Sequence, residues 1–501
     1  MPHTKNTYYD ACLIGLISAL MFGLFLGTRA LNIPDEGRYP SVALQMLQSH
    51  QWLIPRINGV PFLDKPILYY WLEALSIHWF GLNNWAIRLP QALFGVIGCV
   101  AVFLFGNHYS SRKTGYLAAL LLMISPLYYF STRYANMDLE VAIWITLTLM
   151  ALFPVLNPHT PLTRAQTLHR LIWAGVFSGL GFLTKGMIGA VLPGLVALVF
   201  LGTMGRFHTL KTLPLYYPIL VFGIITLPWI YLISHAMPHF LYYFFVYQQF
   251  YRYLGSGFNN AMPFYFYLGI LLLAFIPWSL LLLGKLKHLP RLYTQRHTQP
   301  FLWYLVVWIA VITFFFSIPH SKIIGYILPV TPALALLIAL GIVTFTRQWR
   351  IWVGIGMALV CISSNLLISR FHLPSSQPIK TLVQAVITPE TRVITDGLYD
   401  EDLPILLNRP IDIAYDWNNP HIMQEDNWAR DFYLGARNAK TPPSHLILPS
   451  KIPLFWKTHP SVILITYPSN IPELERTLLP HPVLLGIVNQ QAVLIRAPHG
   501  R

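Results

Sequence analysis

The chain has 501 residues, of which 55% are hydrophobic and only 11% charged, with a mean hydropathy of +0.52. That composition excludes an ordinary soluble domain and reads as a polytopic membrane protein. The formal net charge of +15 would suggest nucleic acid in a soluble chain, but most cations of the apolar part sit in short loops between hydrophobic runs, so membrane topology explains them and no nucleic-acid partner is expected.

With about 20 apolar residues per span as the ruler, helices are expected near residues 11–31, 87–107, 115–131, 139–156, 171–185, 187–204, 214–235, 263–284, 301–317, 323–345 and 351–369. The first apolar stretch has a thin positive start and no small-x-small cleavage site, so it reads as an uncleaved helix and not a signal peptide. If Lys5 is cytoplasmic, alternate loops carry Arg112 and Lys113, Arg164 and Arg170, Arg206 and Lys211, Lys285 with Lys287, Arg291 and Arg296, then Arg347 and Arg350. These loops are basic and free of acids, as the positive-inside rule expects. The N-terminus is then cytoplasmic, and the opposite loops, with the C-terminal part, face outward.

The first outer loop, residues 32–86, is long for a membrane connector. Its amphipathic segments Ser41–Gln51 and Ile67–Phe80 read as interfacial helices, which either build a site or only seal the helix ends. After Arg370 the pattern changes. Pro and Asp become frequent, and short apolar runs at Val393–Thr395, Leu446–Leu448, Val462–Thr466 and Val483–Val488 alternate with polar turns. The expected organisation is a membrane domain over residues 1–369 and a small α/β domain over 370–501. Cys12, Cys99 and Cys361 all fall in apolar spans and supply neither a CxxC metal signature nor a disulfide framework.

From Val141 to Pro389 there is no aspartate or glutamate, although the same 249 residues hold fifteen lysines and arginines. Of the seven acids before this gap, Asp35, Glu36, Asp64, Asp138 and Glu140 lie in or beside short polar breaks between apolar runs. A carboxylate is costly to keep there, which points to chemistry on anionic lipid near the bilayer surface. Asp35 and Glu36, beside Arg38, can bind a cation or take a hydroxyl proton, or be interfacial charges at a helix end. Lys65, in Asp64-Lys65-Pro66, is the phosphate candidate: an ammonium held between prolines can offset a lipid phosphate and stabilise it as a leaving group. Its bland alternative is a pair with Asp64 or contact with bulk headgroups. Asp138 and Glu140 begin a helix on the same outer side, where acids also simply favour a helix N-terminus. Arg252 follows the aromatic run Tyr242–Tyr251, and His320 with Lys322 adds another outer cation and an imidazole, features that interfaces also carry without a site.

The order of these pieces resembles the GT-C class of polyprenyl-phosphate-sugar-dependent glycosyltransferases. The likeness is strongest to the bacterial lipid A aminoarabinose transferases and the related protein mannosyltransferases. It rests on Asp35-Glu36-x-Arg38-Tyr39, on Asn58-Gly59 through Asp64-Lys65-Pro66 to Tyr70-Trp71, on Arg133 to Asp138, and on Lys322 to Pro329. The resemblance implies a GT-C membrane protein of about 11–13 transmembrane helices with a small C-terminal α/β periplasmic domain in the bacterial inner membrane. It also implies an essential Asp35, a carrier-phosphate contact at Lys65 and a second one at Arg252. The chain departs from the family where Asp64 replaces a glutamate, where Gln248 and Gln249 replace acids, and where Asn260 stands in place of a histidine. Asparagine is a poor substitute for a zinc-ligating imidazole, so a divalent metal remains an open expectation.

The expected activity is transfer of a sugar from an undecaprenyl-phosphate donor to a periplasmic acceptor, lipid A or another envelope glycolipid. Asp35 would orient or deprotonate the acceptor with Asp138 beside it. Lys65, Arg252 and Lys322 would hold phosphate, with Glu36, Arg38, Asp64, Glu140 and His320 in support. The alternatives are transfer to a protein hydroxyl and, from a different class, a lipid-linked sugar transporter, which would spread its charges through the membrane midplane.

Overall fold

The computed structural model describes residues 4–255, 259–343, 347–368, 375–424, 426–439 and 443–496. Its helices include α1 (Thr4–Gly23), α2 (Asp35–Ser49), α3 (Leu68–Phe80), α4 (Asn84–Tyr109), α5 (Arg112–Met123), α6 (Pro126–Ser131), α7 (Met137–Leu156) and α8 (Arg164–Lys185). Further apolar helices follow at Ile188–Thr203, Tyr216–Ala236, Pro300–Ser317 and Thr331–Ile342. Among the described residues, five helical segments are long and apolar enough to cross a membrane: Asn84–Tyr109, Met137–Leu156, Tyr216–Ala236, Pro300–Ser317 and Ile324–Ile342. The chain is a polytopic membrane protein. On Tyr216–Ala236 the outward face carries Ile219, Leu220, Ile224, Leu227 and Tyr231, all exposed, which suits contact with acyl chains rather than water.

Three expected spans differ in the structure, each for a local reason. The first helix ends at Gly23, well short of residue 31, because the Arg88 guanidinium donates to the carbonyls of Leu26, Arg29 and Ala30 (2.8–3.1 Å) and so satisfies groups a helix would have paired internally. The span expected over 115–131 is broken before Pro126, where Ser125 Oγ bonds the Ala274 carbonyl at 2.8 Å. The span over 263–284 is broken at Pro277, which has no amide proton to continue the ladder, leaving Phe266–Ala274 and Trp278–Lys285. The ends of the spans expected over 323–345 and 351–369, and the change of pattern at Arg370, lie outside the described residues.

Both segments of the first loop expected to be helical form helices, α2 and α3, packed on one another. Between them a hairpin, β1 (Arg56–Ile57) with β2 (Val60–Pro61), turns at Asn58-Gly59, both with positive φ. One buried charge cluster joins this loop to the bundle. The fully buried Glu36 carboxylate takes a bidentate pair from Arg88 (Nε 2.6 Å, Nη2 2.9 Å) and a further contact from Arg29 Nη1 at 2.7 Å. It also accepts from the amides of Asn32 and Ala135. Burial alone would push Glu36 up, but Arg88 and then Arg29 overcome it and hold the carboxyl below its usual range. At the other end of α1, Asp10 pairs with Arg112 at 2.5 Å, so the chain's start and the α4–α5 turn share the face opposite the first loop.

The C-terminal part is an α/β domain with a six-stranded sheet in the order β5-β4-β3-β6-β8-β7. Its strands are β3 (Arg392–Asp396), β4 (Asp412–Ala414), β5 (Leu446–Ile447), β6 (Val462–Thr466), β7 (Pro482–Val488) and β8 (Gln491–Arg496). β5, β4, β3 and β6 run parallel, while β8 and β7 close the sheet antiparallel. The domain sits on the first loop: Asn58 exchanges two bonds with the Ile411 backbone (2.6 and 2.8 Å), and Ser41 Oγ donates to the Glu401 carbonyl at 3.1 Å. Gly37 approaches so closely that a Cβ there would lie 2.5 Å from the Asp402 amide nitrogen. Replacing Glu36 with Gln leaves Arg88 buried without its counter-charge. The expected loss is roughly 3–5 kcal/mol of stability, read as a fall in thermal unfolding midpoint in detergent, with Asp35→Asn, at the half-exposed neighbour, close to wild type.

Candidate functional site

The carboxylates come together where α2 and α7 begin. Asp35 is the first residue of α2, and its Oδ2 accepts from Asn136 Nδ2 at 2.7 Å. Asn136 caps α7, its Oδ1 accepting from the Asp138 amide at 2.8 Å, so one side chain fixes both acids relative to each other. Asp138 forms an ion pair with Lys185, the last residue of α8, whose ammonium lies 4.6 Å from the Tyr326 ring centroid. The segment Ile324–Val330 passes directly over this pair, and a Cβ on Gly325 would fall 2.1 Å from Asp138 Oδ2, so glycine is needed for that approach. Asp35, Asn136 and Asp138 open into a cavity of about 610 Å³ with Arg29 and Arg133 on its polar wall and Leu127, Ile270, Leu273 and Leu328 among its apolar lining. A polar end joined to an apolar chamber is the shape required by an amphipathic ligand.

The cations gather beside it. Lys65 follows the hairpin, half-buried, and among the described residues its ammonium makes neither a hydrogen bond nor an ion pair. Asp64 does not neutralise it within pairing distance; that carboxylate instead accepts from Tyr243 Oη at 2.5 Å, and Gln248 Nε2 donates to the same hydroxyl at 2.8 Å. Gln248 Oε1 in turn lies 3.4 Å from Arg252 Nη1. Tyr243, Gln248 and the turn before Arg252 lie on one π-helix, Tyr242–Tyr251, whose wider spacing puts Tyr243 and Gln248, five residues apart, on one face. Lys65 is pushed down to about 8 by burial and then by the neighbouring Arg252, against the opposing pull of Asp64 and Asp431. Lys185 lies within electrostatic reach of Lys65, Arg252 and Asp35, so the two clusters face one another.

Several expected residues have other work. Lys322 is buried and its ammonium donates to the carbonyls of Met262 (2.9 Å) and Pro319, so it ties loop backbones together and does not project as a phosphate contact. His320 is exposed and enters the same loop pairing through its carbonyl, which accepts from Met262. Glu140 is fully buried inside the bundle, accepting from Thr184 Oγ1 at 2.9 Å and Trp144 Nε1 at 3.4 Å, and braces α7 against α8. Glu36 is the buried cluster described above. Arg38 turns away from Asp35 to the C-terminal domain, meeting Glu401 at 3.2 Å and Asp431 at 3.3 Å. Sequence reasoning assigned no role to Asn136, Tyr243 or Asp431, and met Gln248 only as a departure from the family's acids. Only the Asn136-x-Asp138 spacing of a helix cap was readable in advance.

A divalent cation does not fit what is present. Asp35 faces an amide N–H donor, Asp138 is neutralised by Lys185, and among the described residues no group of three or more His, Cys, Asp or Glu converges.

Sequence and structure comparisons place this arrangement among known proteins. Residues 64–232 match the family model for dolichyl-phosphate-mannose-protein mannosyltransferase. The chain is 30% identical over 332 residues to an undecaprenyl phosphate-alpha-4-amino-4-deoxy-L-arabinose arabinosyl transferase of Yersinia enterocolitica, covering 66% of this chain and 58% of that protein. It is 32% identical over 327 residues to a Pseudomonas fluorescens protein described in the same words, covering 64% and 57%. The chain thus spans less than two thirds of the length of these relatives. The crystal structure of ArnT from Cupriavidus metallidurans bound to undecaprenyl phosphate superimposes with a TM-score of 0.80 at 22% identity, over 97% of this chain and 98% of that one. An Archaeoglobus fulgidus oligosaccharyltransferase aligns at a TM-score of 0.51 and 13% identity, covering 91% and 69%. The fold is the GT-C fold, and the chain is similar in sequence to the aminoarabinose transferases.

A phosphate anion drawn to Lys65 requires the ammonium form. Lys65 in the free protein is charged below about pH 8 and loses its proton above it. Polyprenyl phosphate binding is therefore expected to weaken as pH rises past 8, approaching roughly tenfold per unit. Lys65→Arg should abolish that decline; isothermal binding titrations across the range check it.

Proposed function

We propose that this protein is a membrane glycosyltransferase that moves a sugar from an undecaprenyl-phosphate-linked donor to an acceptor on the periplasmic side of the bacterial inner membrane, lipid A or another envelope glycolipid. The observation that carries this reading is Lys65: a half-buried ammonium with no hydrogen-bonding or ion-pairing partner among the described residues, beside Arg252 and within reach of Lys185. Such a group calls for an anionic ligand. The relatives, described as undecaprenyl phosphate-aminoarabinose arabinosyl transferases, make a lipid-linked sugar phosphate the fitting anion.

In the reaction the bond between the sugar's anomeric carbon and the phosphate oxygen breaks as the acceptor oxygen attacks. The departing polyprenyl phosphate gains negative charge as it leaves. Lys65 and Arg252 offset that charge, which is stabilisation realised mainly in the transition state. The apolar chamber next to Asp35 suits the lipid part of a reactant, and Asp35, held by Asn136, presents a carboxylate at its polar end. Asp35 takes the proton of an alcohol acceptor, or positions an acceptor that is itself a phosphate and needs no base. Asp138 keeps Lys185 in place beside it. The N-terminus faces the cytoplasm in this reading, since the Asp10–Arg112 end lies opposite the site and the Arg112-Lys113 turn is basic.

Mass spectrometry of lipid A and of polyprenyl-phosphate sugars tests the reading, comparing a strain lacking the protein with strains expressing Asp35→Ala or Lys65→Ala. The expected outcome is loss of a sugar-sized mass from lipid A with accumulation of the lipid-linked donor in all three. Accumulation of donor with unchanged lipid A moves the acceptor to another glycan or to exported protein. Unchanged pools in every strain overturn the transferase reading.

A further inference from the structure

The C-terminal domain packs against the first loop close to Lys65. Its helix Trp428–Asn438 is capped by Asn427, whose side chain accepts from the amides of Ala429 and Arg430 at 3.0 and 3.3 Å, and it packs on β2 of the first-loop hairpin, a few residues before Lys65. Asp431, in the first turn of that helix, is largely buried with its Oδ2 3.3 Å from Arg38 Nη1. Arg38 already has a second carboxylate, Glu401, at 3.2 Å, so Asp431 is more than that guanidinium needs. Asp431 is also within electrostatic reach of Asp64 and Lys65 in the loop, and of Tyr243, Tyr247 and Arg252 in and after the π-helix. On its own helix Arg430 lies next to it and is paired with Asp426.

We propose that Asp431, carried by the C-terminal domain, is a positioning residue of the phosphate site, orienting Arg38 and supplying the counter-charge that balances Lys65 and Arg252. The proposal rests on the reading of Lys65 as the donor-phosphate contact. The physical reason is that two cations brought together in a half-buried site repel each other, and each loses charge or moves apart unless an anion stands nearby. Asp64 serves this purpose incompletely, because its carboxylate is tied to Tyr243. Asp431 lies beyond the end of the membrane bundle in sequence, so the site is complete only with the C-terminal domain docked.

The sign of its effect follows. Asp431 raises the Lys65 pKa, whereas Arg252 and burial lower it. Burial, followed by the nearby Asp64, pushes Asp431 itself up to about 6, so it is ionised above that pH. Removing its charge lets Lys65 lose its proton at a lower pH than in the wild type.

The test is the pH dependence of kcat/KM for the lipid-linked donor from pH 6.5 to 9.5, on full-length protein, for wild type, Asp431→Asn, Asp431→Glu and Lys65→Ala. The basic limb reports the free enzyme's essential acid. It is expected to move down by roughly half a unit to one unit in Asp431→Asn and to return towards wild type in Asp431→Glu, with the variants eluting as a single species in detergent. A limb that stays in place in Asp431→Asn, with activity lowered evenly or not at all, overturns the proposal. If Asp431→Asn does not fold, Asp431→Ser takes its place and is read in the same way: a basic limb moved down supports the proposal, and a limb that stays in place overturns it. Wild-type turnover in Lys65→Ala would instead remove the phosphate reading on which the proposal stands, a failure distinct from an unmoved limb over an inactive Lys65→Ala.

Discussion

Everything at the site depends on one buried carboxylate. Glu36 is answered by Arg88 and Arg29 and by two backbone amides, and these partners come from the end of the first span, the start of α4 and the stretch leading into α7. A charge in that place is tolerable only when fully paired, so the cluster accepts a single arrangement of those segments. Asp35 precedes Glu36 and Asn136 follows Ala135. Fixing Glu36 against Arg88 and the Ala135 amide therefore brings Asp35 to Asn136, and Asn136 brings Asp138 into line as the helix cap. The residue that touches no ligand sets the positions of those that face the cavity.

The second constraint is the separation of charge within a narrow space. Asp35 and Asp138 line the cavity, with Lys185 paired to Asp138, while Asp64, Tyr243, Gln248 and Arg252 form a hydrogen-bonded chain whose Asp64 end is next to Lys65 in sequence. Opposite charges close together would normally quench one another as ion pairs. Here the tyrosine hydroxyl occupies Asp64 and the asparagine amide occupies Asp35, so among the described residues no carboxylate stands at pairing distance from Lys65. Neutral hydrogen-bond donors thus keep acids and bases apart in a half-buried site.

The C-terminal domain contributes through contact with the first loop. Asn58 and Ile411 pair, Gly37 admits the Asp402 backbone, and Arg38 spans Glu401 and Asp431. The loop before Lys65 is thereby pinned between the bundle and the domain, which accounts for an ammonium held in place without a side-chain partner of its own.

Much of this was legible in the residues. Apolar runs of spanning length, basic acid-free loops, the long first loop with its two helices, and four of the later strands follow from hydropathy and periodicity, because those patterns reflect local solvent preference. The isolated acids and Lys65 stood out for the same reason, being costly where they are. What hydropathy could not show is pairing. It could not distinguish Lys322, whose ammonium serves backbone carbonyls, from Lys65, whose ammonium has no hydrogen-bonding or ion-pairing partner among the described residues. Nor could it show that Glu36 and Glu140 brace the bundle while Asp35 faces the cavity, or that Asp431, nearly three hundred positions beyond Asn136, pairs with Arg38 of the first loop. The sequence by itself determined that this is a polytopic chain of long apolar runs divided by basic loops, and which charged residues stood isolated beside those runs. Only the tertiary structure decided which of those charges neutralise one another, since that depends on distances between residues far apart in the chain.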